Sequence, residues 1–100
     1  MGTAMDLLTE DEIDQALSDD LPGWEQDGNA ITREIEAPTF LDGITLVQHV
    51  AEAAENMDHH PDIDIRYTAL TFTLSTHSEG GLTRNDLDLA RKIDRLAADL

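Results

Sequence analysis

Apolar residues recur along this chain with helical spacing in some stretches and strict alternation in others, and the switches between the two divide it into elements. Thr9-Glu10-Asp11-Glu12 opens the first. Its threonine oxygen can accept from the Glu12 amide while the Glu12 carboxylate reaches back, and Ile13, Ala16 and Leu17 then share one face, which predicts a short helix. Leu21-Pro22-Gly23 ends it. Trp24 to Gln26 reads as a strand and Asp27-Gly28-Asn29 as a turn, while Ile31, Arg33 and Ile35 alternate with Thr32, Glu34 and Glu36 to complete a hairpin.

Thr39-Phe40-Leu41-Asp42 offers a second threonine cap, and Ile44, Val47, Val50, Ala51, Ala54 and Met57 follow at three- and four-residue spacing, predicting a helix to about Asp58. Pro61 forbids helical continuation through His60. Ile63, Ile65 and Tyr67 alternate as a strand would. Leu70, Phe72 and Leu74 alternate with the opposite parity, so the chain must turn or bulge between Tyr67 and Leu70, and two strands are expected. Gly80-Gly81 marks a loop, Thr83-Arg84-Asn85-Asp86 caps a third helix, and Leu87, Ala90, Ile93, Ala97 and Leu100 form its apolar stripe.

The resulting order, α-β-β-α-β-β-α, predicts an α+β two-layer sandwich with a four-stranded antiparallel sheet and helices on one face. Residues 1–100 form a single domain in this reading, with 1–8 expected to be a flexible N-terminus. A chain of this length buries roughly two-thirds of its extended surface, enough for a core without covalent staples.

Charge narrows the partners. The chain carries 22 acidic against 6 basic residues, a formal net charge of -16, and Lys92 is its only lysine. Nucleic acid and anionic membranes are therefore poor partners, because the arginines at 33, 66, 84, 91 and 95 are scattered rather than gathered into a patch. The absence of cysteine excludes disulfides and thiolate chemistry, and the beginning of the sequence lacks a signal-peptide pattern, so a cytoplasmic location is expected. Spread from Asp6 to Asp99, the acids read as a solvated skin resembling that of halophile proteins, tolerable where salt shortens the Debye length to about 3 Å near 1 M. The rival reading, a calcium site at Asp62-Ile63-Asp64-Ile65-Arg66, breaks the EF-hand pattern at its third ligand and lacks its glycine.

Candidate chemistry gathers at element ends. His59 and His60 follow the second helix and His77 follows the last strand. A helix C-terminus, with Glu55 and Asp58 nearby, favours the protonated imidazole, a group able to donate a proton at working pH. Glu55, four residues before His59, is placed to hold its ring in one tautomer if the helix reaches that far. The plain alternative is a set of exposed loop histidines. His49 falls off the apolar stripe and reads as a surface residue. A metal site from His59, His77 and Glu55 or Asp86 finds no supporting motif, and Ser75, Thr76 and Ser78 lack a nucleophile elbow, so hydrogen bonding to a heterocycle is their simpler use.

The combined spacing is more specific than any one residue: Glu55, then His59-His60-Pro61, Tyr67, His77 and Asp86, with Gly23-Trp24, Thr76-His77 and Gly81-Leu82-Thr83 flanking them. This pattern resembles the active-site motif of the pterin-4a-carbinolamine dehydratase family, and the likeness extends over nearly the whole chain from Leu17. The second strand departs from it, with Ile35 and Ala37 where relatives often carry aromatics, as does the acidic surface.

The resemblance implies a cofactor-free, metal-free dehydratase that removes the 4a-hydroxyl of a tetrahydropterin to give quinonoid dihydropterin. It implies catalytic roles for His59, His60 and His77, with His59 and His77 as the acid-base pair and His60 orienting the pterin. Asp58, His59, His60, Ser75, Thr76, His77 and Ser78 would contact the substrate, and Glu55 and Asp86 would orient the histidines. Asp86 is equally explained as part of a helix cap. Trp24 and Tyr67 are assigned to the core. The resemblance further implies a homodimer or homotetramer, and the competing function on the same fold is a noncatalytic adaptor or assembly factor.

Overall fold

The computed structural model describes residues 6–100. Three helices and four strands follow in the expected order: α1 (Glu10–Asp19), β1 (Glu25–Asp27), β2 (Ala30–Glu36), α2 (Phe40–Met57), β3 (Asp62–Arg66), β4 (Ala69–Leu74) and α3 (Arg84–Ala97), with a single 3-10 turn at His77–Glu79 before α3. The sheet runs β1-β2-β4-β3. Both β2 and β3 pair antiparallel with β4, so they are parallel to each other and α2 is the crossover between them.

Local signals explain the ends of these elements. Thr9 and Glu12 form the reciprocal capping box of α1, each backbone N–H donating to the other's side chain, at 2.9 and 3.1 Å respectively. Thr39 accepts from the Asp42 amide at 3.1 Å to start α2. The β1–β2 hairpin turns through Gly28 and Asn29, with Gly28 at φ 61, a conformation natural to glycine. Arg66 pairs with Ala69 across the β3–β4 turn, and Tyr67 takes positive φ there, which resolves the change of parity without a bulge.

Alternation decides the two faces of the sheet. Ile31, Ile35, Leu70, Phe72 and Leu74 are buried against the helices, whereas Thr32, Glu34, Glu36, Asp62 and Asp64 are exposed or half-buried on the other face. Arg33 shares the inner face and is neutralised there by Asp94 of α3, whose Oδ1 also accepts from Trp24 Nε1 at 2.8 Å. Gly23 makes room for this cluster, since a Cβ would come within 2.9 Å of Arg33 Nε.

Three sequence expectations shift, in α2, α3 and at Tyr67. The buried stripe of α2 is Gly43, Leu46, Val50 and Ala54, while Ile44 is only half-buried and Ala51 is exposed. Gly43 faces Ala37 and Leu70, which a Cβ would meet at 3.4–3.6 Å, so this side of the helix is the one turned to the core. Leu89 joins the α3 core, and Leu100, beyond the helix end, is exposed. Tyr67, assigned to the core, is 76% exposed at the hairpin turn and stacks on Phe40, with centroids 6.4 Å apart. Of the N-terminal segment 1–8, residues 1–5 lie outside the described residues, whereas Leu8 packs against the core and its N–H donates to Leu82 O at 2.8 Å. No helix among the described residues is long and apolar enough to cross a membrane.

Candidate active site

The end of α2 sets the two adjacent histidines on different courses. The helix stops at Met57 and Asp58 enters the left-handed region (φ 51, ψ 44). The Asp58 N–H returns to Glu55 O at 3.2 Å and the His59 N–H to Ala54 O at 3.0 Å, the pair of bonds that defines a Schellman stop. His59 is carried into the protein, 9% exposed, while His60 faces solvent. The tautomer-holding partner expected for His59 was Glu55. Helical spacing ends before His59, and Glu55 instead pairs with His60 Nε2 at the surface.

His59 Nε2 is held by Asp86 Oδ1 at 2.6 Å. All 22 carboxylates of the chain lie within the described residues, and Asp86 is the one that is buried, at 0% exposure. Its other oxygen, Oδ2, accepts from the Thr83 N–H at 2.9 Å and from the Thr76 hydroxyl at 2.7 Å. Thr83 and Asp86 are thus the capping box of α3 expected from the sequence, and the two readings of Asp86 prove compatible: one oxygen caps the helix, the other holds the histidine. The position is favourable for a negative charge, because the first turn of a helix presents unpaired N–H groups and the positive end of its dipole.

Chemistry follows from that arrangement. An ionised carboxylate only accepts, so Nε2 of His59 must carry a hydrogen and Nδ1 of the neutral ring is left with its lone pair. No buried side-chain N or O atom among the described residues lacks a partner, so Nδ1, which has none, reaches the surface. The ring therefore presents an Nδ1 lone pair while its other nitrogen is fixed by a buried carboxylate.

Three separate elements build this cluster, with His59 after α2, Thr76 after β4 and Asp86 in the first turn of α3. His77 directly follows Thr76 and is exposed, as is Ser78. The Ser75 hydroxyl donates to Asn29 O at 2.8 Å, bonding the site's margin to the β1–β2 turn. His49 is exposed on α2 and lines a groove of about 680 Å³ between α2 and α3 that none of His59, His60 and His77 lines. Convergent polar groups, rather than cavity size, mark the candidate site. No three His, Cys, Asp or Glu side chains among the described residues converge to hold a metal ion.

The family model described as pterin 4 alpha carbinolamine dehydratase matches residues 6–96. The chain belongs to the pterin-4a-carbinolamine dehydratase family. A relative from Mycobacterium avium, named as a pterin-4-alpha-carbinolamine dehydratase, is 58% identical over 90 residues, covering 90% of this chain and 95% of the relative. A Nocardia farcinica relative of the same name is 56% identical over 92 residues, covering 92% and 96%. The crystal structure of a transcriptional coactivator/pterin dehydratase from Brucella melitensis is similar at a TM-score of 0.88 and 37% identity, covering 92% of this chain and 99% of that one. A pterin dehydratase-like protein identified as a RuBisCO assembly factor shares the fold alone, at 17% identity and a TM-score of 0.61 over 74% of this chain and 86% of that one.

Proposed function

We propose that this pterin-4a-carbinolamine dehydratase family member eliminates water from 4a-hydroxytetrahydropterin by histidine acid-base catalysis. The observation that carries the reading is the buried Asp86 carboxylate fixed on His59. In the reaction, the 4a-hydroxyl takes a proton and leaves as water, the N5 lone pair forms the C4a=N5 bond, and the N5 proton is given to a base. His59 Nδ1 is the base, and Asp86 stabilises the imidazolium that forms. His77, whose carbonyl closes the 3-10 turn by accepting from Gly80 N–H while its side chain is exposed, is the acid that protonates the leaving hydroxyl. His60, anchored by Glu55, orients the pterin, with Asp58, Ser75 and Ser78 at its edge.

No metal or cofactor is required, because the steps are proton transfers. We read the enzyme as a cytoplasmic homodimer or homotetramer, and its acidic skin as an adaptation to concentrated salt. The rival adaptor reading has no use for a buried carboxylate fixed on an imidazole. The test is the rate of dehydration of chemically prepared 4a-hydroxytetrahydropterin, followed by ultraviolet absorbance at low and high salt. Acceleration above background supports the enzyme, whereas a folded protein with none under either condition leaves the adaptor.

A further inference from the structure

Thr76 is fully committed inside the protein. It is buried, its N–H donates to Gly81 O at 2.8 Å, and its carbonyl accepts from Glu79 N at 3.0 Å and Gly81 N at 3.3 Å. Its hydroxyl donates to Asp86 Oδ2 and lies 2.7 Å from Thr83 Oγ1. A hydroxyl has a single proton, and that of Thr76 is given to Asp86, so at this contact the Thr83 hydroxyl is the donor. The order Thr83 O–H to Thr76 O–H to the Asp86 carboxylate is therefore directional, and it ends on the group that holds His59.

We propose that Thr76 is a positioning residue for His59 and makes no hydrogen bond to the substrate. The resemblance to the family placed it among the pterin contacts, but none of its donors is left to offer a heterocycle. Two donors on Oδ2 fix the plane of the Asp86 carboxylate and aim Oδ1 at Nε2. Without the Thr76 hydroxyl the carboxylate keeps the Thr83 N–H and His59 bonds, but its plane is held less firmly and Oδ1 is aimed less well at Nε2, so selection of the Nε2–H tautomer weakens. Thr76 also carries the backbone of the His77–Glu79 turn through its bridge to Gly81, so one residue sets the ring of His59 and the chain position of His77.

The functional part of this inference rests on the dehydratase reading; the tautomer part does not. Thr76→Val keeps the shape and removes the hydroxyl, and Thr76→Ser restores it. In the dehydration assay, Thr76→Val is expected to lower kcat by roughly 10- to 100-fold, by analogy with the loss when a partner that orients a metal-bound histidine is removed. KM should change little, and Thr76→Ser should recover most of the rate. In the same variants, nitrogen-15 NMR of the His59 ring should show the Nε2–H tautomer in wild type and in Thr76→Ser, and a mixture in Thr76→Val. A raised KM with unchanged kcat and an unmoved His59 spectrum would overturn the proposal and make Thr76 a substrate contact. Unchanged kinetics and spectra would overturn it equally. If Thr76→Val does not fold, Thr76→Ala is read by the same two measurements. If wild type proves inactive, the dehydratase reading fails, and the NMR comparison alone still decides whether Thr76 orders His59.

Discussion

Replacing Asp86 by asparagine changes one atom and inverts the hydrogen-bonding logic of the site. The carboxylate accepts three hydrogen bonds, from Thr83 N–H, Thr76 O–H and His59 Nε2–H, at 2.9, 2.7 and 2.6 Å. An amide oxygen placed at Oδ2 keeps the first two, and the amide NH₂ then faces His59. The ring accommodates a donor only by moving its proton to Nδ1, so the free nitrogen becomes a donor and the base is lost. Each charge-assisted bond is worth about 1 kcal/mol more than its neutral counterpart, and relief of the buried charge offsets part of that sum. A net destabilisation of about 2 kcal/mol corresponds to a fall in Tm of about 8–16 °C for a chain of this size. The protein should remain folded well below that transition, with kcat reduced by roughly 10²- to 10⁴-fold, the contribution of a positioned acid or base. The assay is the dehydration rate of the folded variant, with circular dichroism confirming the fold. A folded Asp86→Asn protein with undiminished kcat would refute the assignment of His59 as the base.

Asp58→Gly relieves a left-handed residue at the end of α2 but frees the unfolded chain, so stability should stay level or rise by under about 1 kcal/mol, with Tm level or slightly higher. A higher KM in that variant would reveal a substrate contact of the Asp58 carboxylate, and a lower Tm would contradict the backbone explanation. Glu55→Ala removes a solvent-exposed pair worth at most about 1 kcal/mol, so thermal melting should barely change while KM rises more than kcat falls, as His60 loses its anchor. The Thr9 amide and hydroxyl hold the Glu12 carboxyl below its usual value. Its contribution is complete above the ordinary carboxylate range and lost as pH falls through the lowered value. The Tm difference between wild type and Glu12→Gln should therefore close on acidification, and a difference independent of pH would count against the capping box.

The parts of this fold legible in the sequence are those written within a few residues. Thr9 with Glu12 and Thr83 with Asp86 announce helix starts because a capping box spans only four residues, and Asp27-Gly28-Asn29 announces its hairpin because a tight turn needs a residue tolerant of positive φ. The stripe of α2 was harder to read, since apolar residues border Val50 on two sides and only packing against Ala37 and Leu70 selects the side carrying Leu46. Tyr67 was misassigned because composition favours burying an aromatic, whereas the hairpin needed its backbone in the turn.

In the candidate site, the histidines were legible as a motif but their partners were not. Glu55 at helical spacing from His59 was the natural local choice. The Schellman stop at Asp58 removes that spacing and hands Glu55 to His60. The partner His59 actually has lies 27 residues away, brought to it by the packing of α3 beside the end of α2, and no local rule reports such a contact. The commitment of Thr76 to that network was hidden for the same reason, although a threonine placed between an apolar strand and a capping threonine was a signal that its hydroxyl would be enclosed.

The most direct test of the central claim is the turnover of 4a-hydroxytetrahydropterin by wild type, His59→Ala and His77→Ala under one salt condition in which all three are folded. Turnover by wild type that falls by orders of magnitude in both variants is the expected result. Full activity in either variant would contradict the acid-base pair.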